Sequence, residues 1–256
     1  MAELGRSFGR IAPAYDAARP EYAPKALDRA QQVLGLGPEA RVVDLAAGSG
    51  TLTRALAERF RAVAAVEPDD DMLKVLAARS PQVEALRGSA EQIPLPDRCA
   101  DAVFVGDAFH WFDGPAAVDE LARVLRPHGG VALLWNNWWS DGADGTSDSL
   151  DPPLPAGARA ILDEVYVSSG RAAARAALAD PLTAFAAAPF EPLADESFAR
   201  THVLSGADVV DLYTTVSSVA SLAADEWEAL RRELVPLLGE RYLLTITTVL
   251  HWTRRA

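Results

Sequence analysis

Apolar positions recur along residues 25–136 with two alternating periods. Ala26–Leu34 and Thr51–Phe60 carry them at helical spacing, and between these Arg41–Ala46 is a short apolar run of strand length. The alternation continues: Val63–Glu67 predicts a strand, Asp71–Ala78 a helix, Val83–Leu86 a weaker strand, Ala100–Gly106 a strand, Ala116–Leu125 a helix and Gly130–Trp135 a strand. Strands separated by helices need crossover connections, so the sheet is expected to be mostly parallel and covered on both faces, which is the α/β class.

Beyond Trp135 the pattern changes. Asn136–Gly157 is rich in Ser, Asp, Gly and Pro, the residues of turns and loops. An Ala-rich helical stretch follows at 158–188, then a strand at Ser197–Leu204, helices near 206–216 and 224–238, and a β-rich ending at Tyr242–Trp252. A parallel sheet that finishes with strands separated by helices often closes on an antiparallel member, placed here at the C-terminus.

Composition narrows the function classes. With 256 residues, 50% of them hydrophobic and 23% charged, the chain can bury a sizeable core as one elaborated domain. The net charge is −12 and Lys25 and Lys74 are its only lysines, so the basic surface that neutralises phosphates is missing and nucleic acid is not an expected partner. Cys99 stands alone, which fits a reduced thiol in the cytoplasm. Glu3, Arg6, Arg10 and Asp16 interrupt any signal-peptide core, and no apolar run approaches about 18 residues, so neither secretion nor a membrane partner is expected. His110, His128, His202 and His251 show no metal-ligand spacing, and no metal is expected.

The sharpest local feature is Val42-Val43-Asp44-Leu45-Ala46-Ala47-Gly48-Ser49-Gly50-Thr51, which joins a buried strand to a helix. Glycines in such a turn let backbone N–H groups and a helix N-terminus approach a ligand. No lysine follows the second glycine, so the loop is not a P-loop. Thr51, Leu52 and Thr53 follow Gly50, so the third glycine of a nicotinamide-binding turn is absent too.

Asp44-Leu45-Ala46-Ala47-Gly48-Ser49-Gly50 resembles the acidic-x-Gly-x-Gly-x-Gly motif of class I S-adenosylmethionine-dependent methyltransferases, with Ala46 at the first glycine. An alanine is expected to be tolerated there if its φ is negative. Four further segments resemble the family in order: Ala65-Val66-Glu67-Pro68, Asp69-Asp70-Asp71-Met72-Leu73, Gly88-Ser89-Ala90-Glu91 up to Leu95, and Val103–Phe112 with Glu120–Gly130. The N-terminal run with Tyr15, Asp16, Arg19 and Tyr22, and His110-Trp111-Phe112, resemble the small-molecule branch that includes trans-aconitate and ubiquinone/menaquinone-type methyltransferases.

The resemblance implies a Rossmann-like class I methyltransferase fold: a mostly parallel seven-stranded sheet, an antiparallel C-terminal strand and a helical cap. It implies one domain with a cofactor-binding core at 25–136, an N-terminal lid at 1–24, a cap or substrate insertion at 137–200, and sheet completion at 201–256. S-adenosylmethionine, with S-adenosylhomocysteine as product, would be held by Asp44, Ala46, Gly48, Gly50, Glu67, Pro68, Met72, Ser89, Ala90, Glu91 and Asp107. Glu67 is placed on the ribose and Met72 on the adenine, while Tyr15 and Arg19 would close the methionine end. His110, in the loop after the fourth strand, is the candidate base for an acceptor that must lose a proton. Phe109, Trp111, Trp138 and Trp139 would line the site of a small aromatic or apolar acceptor. The chain itself is expected as monomer or homodimer. A cyclisation or decarboxylation on the same fold, and a non-catalytic cofactor-binding regulatory subunit, are the alternatives to methyl transfer.

Overall fold

The structure, a computed structural model, describes residues 12–138, 150–168, 180–215 and 222–256. Helices α1 (Ala12–Ala18) and α2 (Pro24–Val33) lead into strand β1 (Arg41–Leu45). The chain continues through α3 (Thr51–Ala57), β2 (Ala62–Glu67), α4 (Asp70–Arg79), β3 (Glu84–Arg87), β4 (Ala100–Gly106), α5 (Gly114–Val124) and β5 (Leu125–Asn137). From α2 to β5 these are the elements that the two hydrophobic periods predict; α1 lies in the N-terminal segment, for which no helix is predicted. Strands β1 to β5 all pair in parallel, in the order β3-β2-β1-β4-β5.

Alternation along each strand splits the core. Val43, Leu45, Val103 and Val105 face α5 and the aromatic side chains Phe109 and Phe185. Val42, Phe104, Ala132 and Leu134 face α2 and α3, through Leu27, Leu52 and Leu56. Successive strand side chains point to opposite faces, so a central strand buried on both reads as a continuous apolar run.

The second half adds β6 (Leu150–Asp151), α6 (Ala156–Ser168), β7 (Ala194–Leu204), α7 (Gly206–Thr214), α8 (Ala224–Leu234) and β8 (Tyr242–Arg254). β8 runs antiparallel to β5 along Gly130–Asn137, to β7 along all of Ala194–Leu204, and to β6 at Leu243 and Leu244. The antiparallel C-terminal strand is therefore where the sequence places it. Among the described residues the sheet has eight strands rather than seven. The extra one, β6, is two residues long inside a Ser-, Asp- and Pro-rich run, too short to carry a period.

A third core lies outside the sheet's two layers, where Trp138, Leu154, Leu162, Val209, Tyr213 and Leu234 pack among α6, α7 and α8 against the start of β8. The sheet claims residues from Ala194 onward, so the end of the 137–200 segment is strand. Of the helical stretch expected at 158–188, the structure shows α6 and a 3₁₀ turn at Pro181–Ala187. Residues 169–179 lie outside the described residues.

Candidate functional site

The carboxyl ends of β1, β2 and β4 meet on one edge of the sheet, because β1 pairs with β2 on one side and β4 on the other. Ligands of open α/β sheets bind at such edges. After β1 the backbone takes positive φ at Ala46 (56°), Gly48 (56°) and Gly50 (91°), a tight loop that delivers Thr51 to the start of α3. The condition of a negative φ at Ala46 is not met. The turn keeps the left-handed geometry suited to glycine, and the alanine carries the strain of its own Cβ. A Cβ on Gly50 would stand 3.1 Å from Leu76 of α4, a second reason for glycine there.

Asp44 ends β1 with 1% exposure, and its Oδ2 accepts the Thr53 hydroxyl at 2.5 Å. Among the described residues, Asp44 Oδ1, Ser49 Oγ and Thr51 Oγ1 are buried without a hydrogen-bond partner. Buried polar atoms are nearly always paired, so these three around one loop are groups that a bound ligand would satisfy, although Arg59 Nε and Ser80 Oγ are unpartnered away from it. Burial pushes the Asp44 carboxyl up to about 7, with the nearby Glu67 adding to the shift against the Thr53 hydrogen bond.

Glu67 ends β2 beside this loop. Its Oε2 accepts the Gly48 N–H at 2.8 Å and its Oε1 the Asp69 N–H at 2.9 Å. Burial pushes it up to about 7 despite these two donors. Asp69 caps α4 by accepting from the N–H groups of Asp71 and Met72, and the Met72 side chain is buried in the first turn of that helix. Ser89 and Gln92 form a bridge in the loop after β3, and Ala90 is buried. Glu91 is exposed and accepts the Asp113 N–H at 3.0 Å, so it ties this loop to the start of α5. An open cleft of about 920 Å3 lies beside this loop, between Pro68 and Ser89 on one side and Pro94, Glu120 and Arg123 on the other, and none of Asp44, Glu67 or Met72 lines it.

The N-terminal segment closes over the same edge. Asp16 of α1 lies between Arg54 of α3, at 2.9 Å, and Arg79 of α4, at 3.3 Å. Arg19 stacks over Tyr15 at 5.4 Å, donates to the Thr215 hydroxyl at 3.3 Å, and pairs with Asp107 at 3.7 Å. Burial works against the Arg19 charge, but Tyr15, Asp107 and Tyr22 outweigh it and raise its pKa. Asp107 follows β4 with a φ of 50°. Its Oδ1 accepts the Asn136 N–H at 3.0 Å and its Oδ2 the Tyr22 hydroxyl at 3.1 Å, while burial raises its carboxyl. Thus Tyr15, Arg19 and Asp107, three of the expected cofactor residues, form one cluster.

Behind them runs a buried network that the sequence reading did not assign. Asn136 donates to the carbonyls of Pro20 and Glu21 and accepts from Thr248 at 2.6 Å, and Thr248 in turn accepts the Ala23 N–H at 3.0 Å. Gly106 has no room for a side chain, because a Cβ there would run into the Tyr22 hydroxyl. The signal was local: Tyr22 lies in the N-terminal run already singled out, and Asn136 is the first polar residue after a strand of apolar ones.

His110 occupies a 3₁₀ turn, Phe109–Trp111, after β4. Its ring lies 4.8 Å from Trp111, and its Nδ1 accepts the Trp135 indole N–H at 3.3 Å. Of the expected aromatic wall, Trp111 stays partly exposed. Phe109 is 1% exposed and packs between Phe112 and Phe185, so it belongs to the core instead. Trp138 likewise packs edge-on against Tyr213, 5.6 Å away, and anchors the helices beyond the sheet. Trp139 lies outside the described residues. Among the described residues no group of His, Cys, Asp or Glu is placed to hold a metal ion, and no helix is long and apolar enough to cross a membrane.

This arrangement defines a class I methyltransferase fold. Residues 43–133, the core of the sheet, match the family described as Methyltransferase domain. It is 48% identical over 136 residues to an uncharacterized methyltransferase of Mycobacterium tuberculosis, covering 52% of this chain and 54% of that protein. It is 38% identical over 135 residues to the malonyl-[acyl-carrier protein] O-methyltransferase of Serratia marcescens, covering 51% of each. The chain thus spans about half the length of the curated relatives it matches. Among solved structures, a chain from Anaeromyxobacter dehalogenans assigned to the type II methyltransferases superposes with a TM-score of 0.56 at 23% identity, over 92% of this chain and 97% of that one. The YcgJ protein of Bacillus subtilis gives 0.51 at 19%, over 90% and 98%.

Proposed function

We propose that the chain transfers the methyl group of S-adenosylmethionine to a small-molecule acceptor by in-line displacement. The observation that carries this reading is the left-handed loop after β1 with the unpartnered buried atoms of Asp44, Ser49 and Thr51 around it. The residues present fit the cofactor. Asp44, Ala46, Gly48 and Gly50 form the loop against which it would lie. Glu67 uses one lone pair of each oxygen on backbone N–H groups and keeps others for the ribose hydroxyls. Met72, Pro68, Ser89 and Ala90 would bound the adenine, whereas Glu91 serves the loop's own attachment. Tyr15, Arg19 and Asp107 would close the methionine end.

The bound cofactor supplies a methyl group activated on a sulfonium. What the protein adds is alignment and exclusion of water. Asp16, held by Arg54 and Arg79, keeps α1 across the edge, and the Asn136–Thr248 network holds residues 20–23 behind it. On the acceptor side stand His110 and Trp111. With Phe109 and Trp138 committed to packing, an apolar or aromatic acceptor rests on these two rings, which suits a small molecule.

Calorimetric titration with S-adenosylmethionine and S-adenosylhomocysteine, with NADH and ATP as controls, tests the cofactor. Micromolar binding of the first two alone is the expected result. Binding of neither by folded protein overturns the reading. Product mass separates methyl transfer, which adds a methylene equivalent, from cyclisation or decarboxylation.

A further inference from the structure

The two ends of the sheet are finished differently. β3, at one end, is four residues long, and a very short edge strand is a common way to avoid recruiting another chain. β7 is 11 residues long, against about five or six for an ordinary strand. Among the described residues it pairs with β8 alone, in one unbroken register from Ala194 to Leu204. β5 takes the opposite side of β8 over much of the same stretch, so the far side of β7 is an outer edge of the sheet. Every residue of β7 is exposed or half-buried, and Val203 is 62% exposed. A lysine, a proline or a bulge usually blunts so long an edge, and β7 has none of them. Alternate residues of such a strand turn their N–H and C=O groups outward, a ladder open to a further strand.

The charges along β7 select what that strand is. Asp195 and Glu196 lie in its first half, Arg200 and His202 in its second. A parallel copy in register would set like charges side by side, whereas an antiparallel copy sets the acidic half beside the basic half. Glu196, Phe198, Arg200 and His202 share one face of the strand, the face turned to α2. There Glu196 pairs with Arg29 at 2.7 Å and Phe198 packs on the core. Arg200 donates to His202 at 3.0 Å and reaches Glu21 at 3.8 Å.

We propose that β7 is the interface of a homodimer, in which two copies of the chain pair their β7 strands antiparallel and join their sheets into one. A two-fold axis perpendicular to the sheet keeps the two faces aligned. With Phe198 opposite its own copy, each Glu196 stands opposite the copy's Arg200. The ion pairs that each chain already holds then form one run of alternating sign: Arg29, Glu196, the copy's Arg200 and the copy's Glu21. Such a contact uses one patch twice and closes on itself, so association stops at two. It uses none of the residues of the cofactor edge and stands apart from the methyl-transfer reading.

Sedimentation velocity of the full chain over a concentration series tests it. A species of twice the chain's mass is expected to grow in between about 1 and 100 µM, the range of a small contact. Glu196→Arg and Arg200→Glu each set like charges against one another on both sides of the axis, and each should weaken association by about tenfold or more. Mixing the two variants restores opposite charges at both places, so a heterodimer is expected where neither variant dimerises alone. Damage to the fold would not be mended by mixing, and circular dichroism of each variant checks it. Hydrogen exchange needs no variant: in the concentrated wild type the amides of residues 194–204 should gain protection over the dilute protein, while those of β3 do not. A wild type that stays monomeric, or a dimer without added protection in β7, overturns the interface. So does a dimer that survives both substitutions, or two folded monomeric variants that stay apart when mixed.

Discussion

Ala46 stores strain in the loop that the proposed cofactor needs. At a φ of 56° its Cβ crowds the backbone, at a cost of about 1–2 kcal/mol. Ala46→Gly removes that cost but loosens the unfolded chain by about 0.4–1 kcal/mol, so a net gain of about 0.5–1 kcal/mol is expected in urea unfolding. A loss would mean that the methyl group packs usefully. Glu67→Ala should weaken S-adenosylmethionine binding roughly tenfold to a hundredfold, the value of hydrogen bonds to a charged acceptor. Unchanged affinity by calorimetry would remove Glu67 from the site. Both positions were legible in the sequence as motif members. The φ of Ala46 was not, because hydrophobic period carries no information about a single dihedral. Phe109 and Trp138 were misread for a related reason: whether a ring lines a cavity or fills a core depends on distant partners such as Phe185 and Tyr213.

Among the elements, α1 and the segment after it depend on contacts made far along the chain. Asn136→Ala would leave the carbonyls of Pro20 and Glu21 and the Thr248 hydroxyl short of partners in a buried setting, at a cost of about 2–3 kcal/mol. Hydrogen exchange should then quicken in residues 12–23 with little change in α4, whereas uniform loss of protection would show that the network supports the whole sheet. Strands and helices were readable because their periods are local. The pairing of β7 with β8 and the tie from Ala23 to Thr248 were not, because no local pattern states which strand meets which.

At the scale of the molecule, buried carboxyls make stability depend on pH. Asp44 and Glu67 are both raised to about 7, and Asp107 is raised as well, each chiefly by burial. Between the unfolded and folded values such groups bind more protons folded than unfolded, so stability falls as pH rises through that window. His202 and His251, lowered by burial, work in the opposite direction, losing stability as pH falls below about 6.5. Above that point the carboxyls decide the sign. The unliganded protein should melt at a lower temperature at about pH 8 than at about pH 6.5, by on the order of 1 kcal/mol of stability. A flat or rising profile would show that these carboxyls ionise without cost.

The place of β8 has a consequence for how the protein is made. The outer edge of β5, the length of β7 and both residues of β6 all find their ladder on this one strand, which comes after all three in the chain. Translation adds about 5–20 residues per second, and open strand edges on a nascent chain are templates for aggregation. A ribosome that stalls just before codon 242 exposes the edges of β5 and β7 together, and the yield of usable protein then depends on how soon the 13 residues of β8 follow.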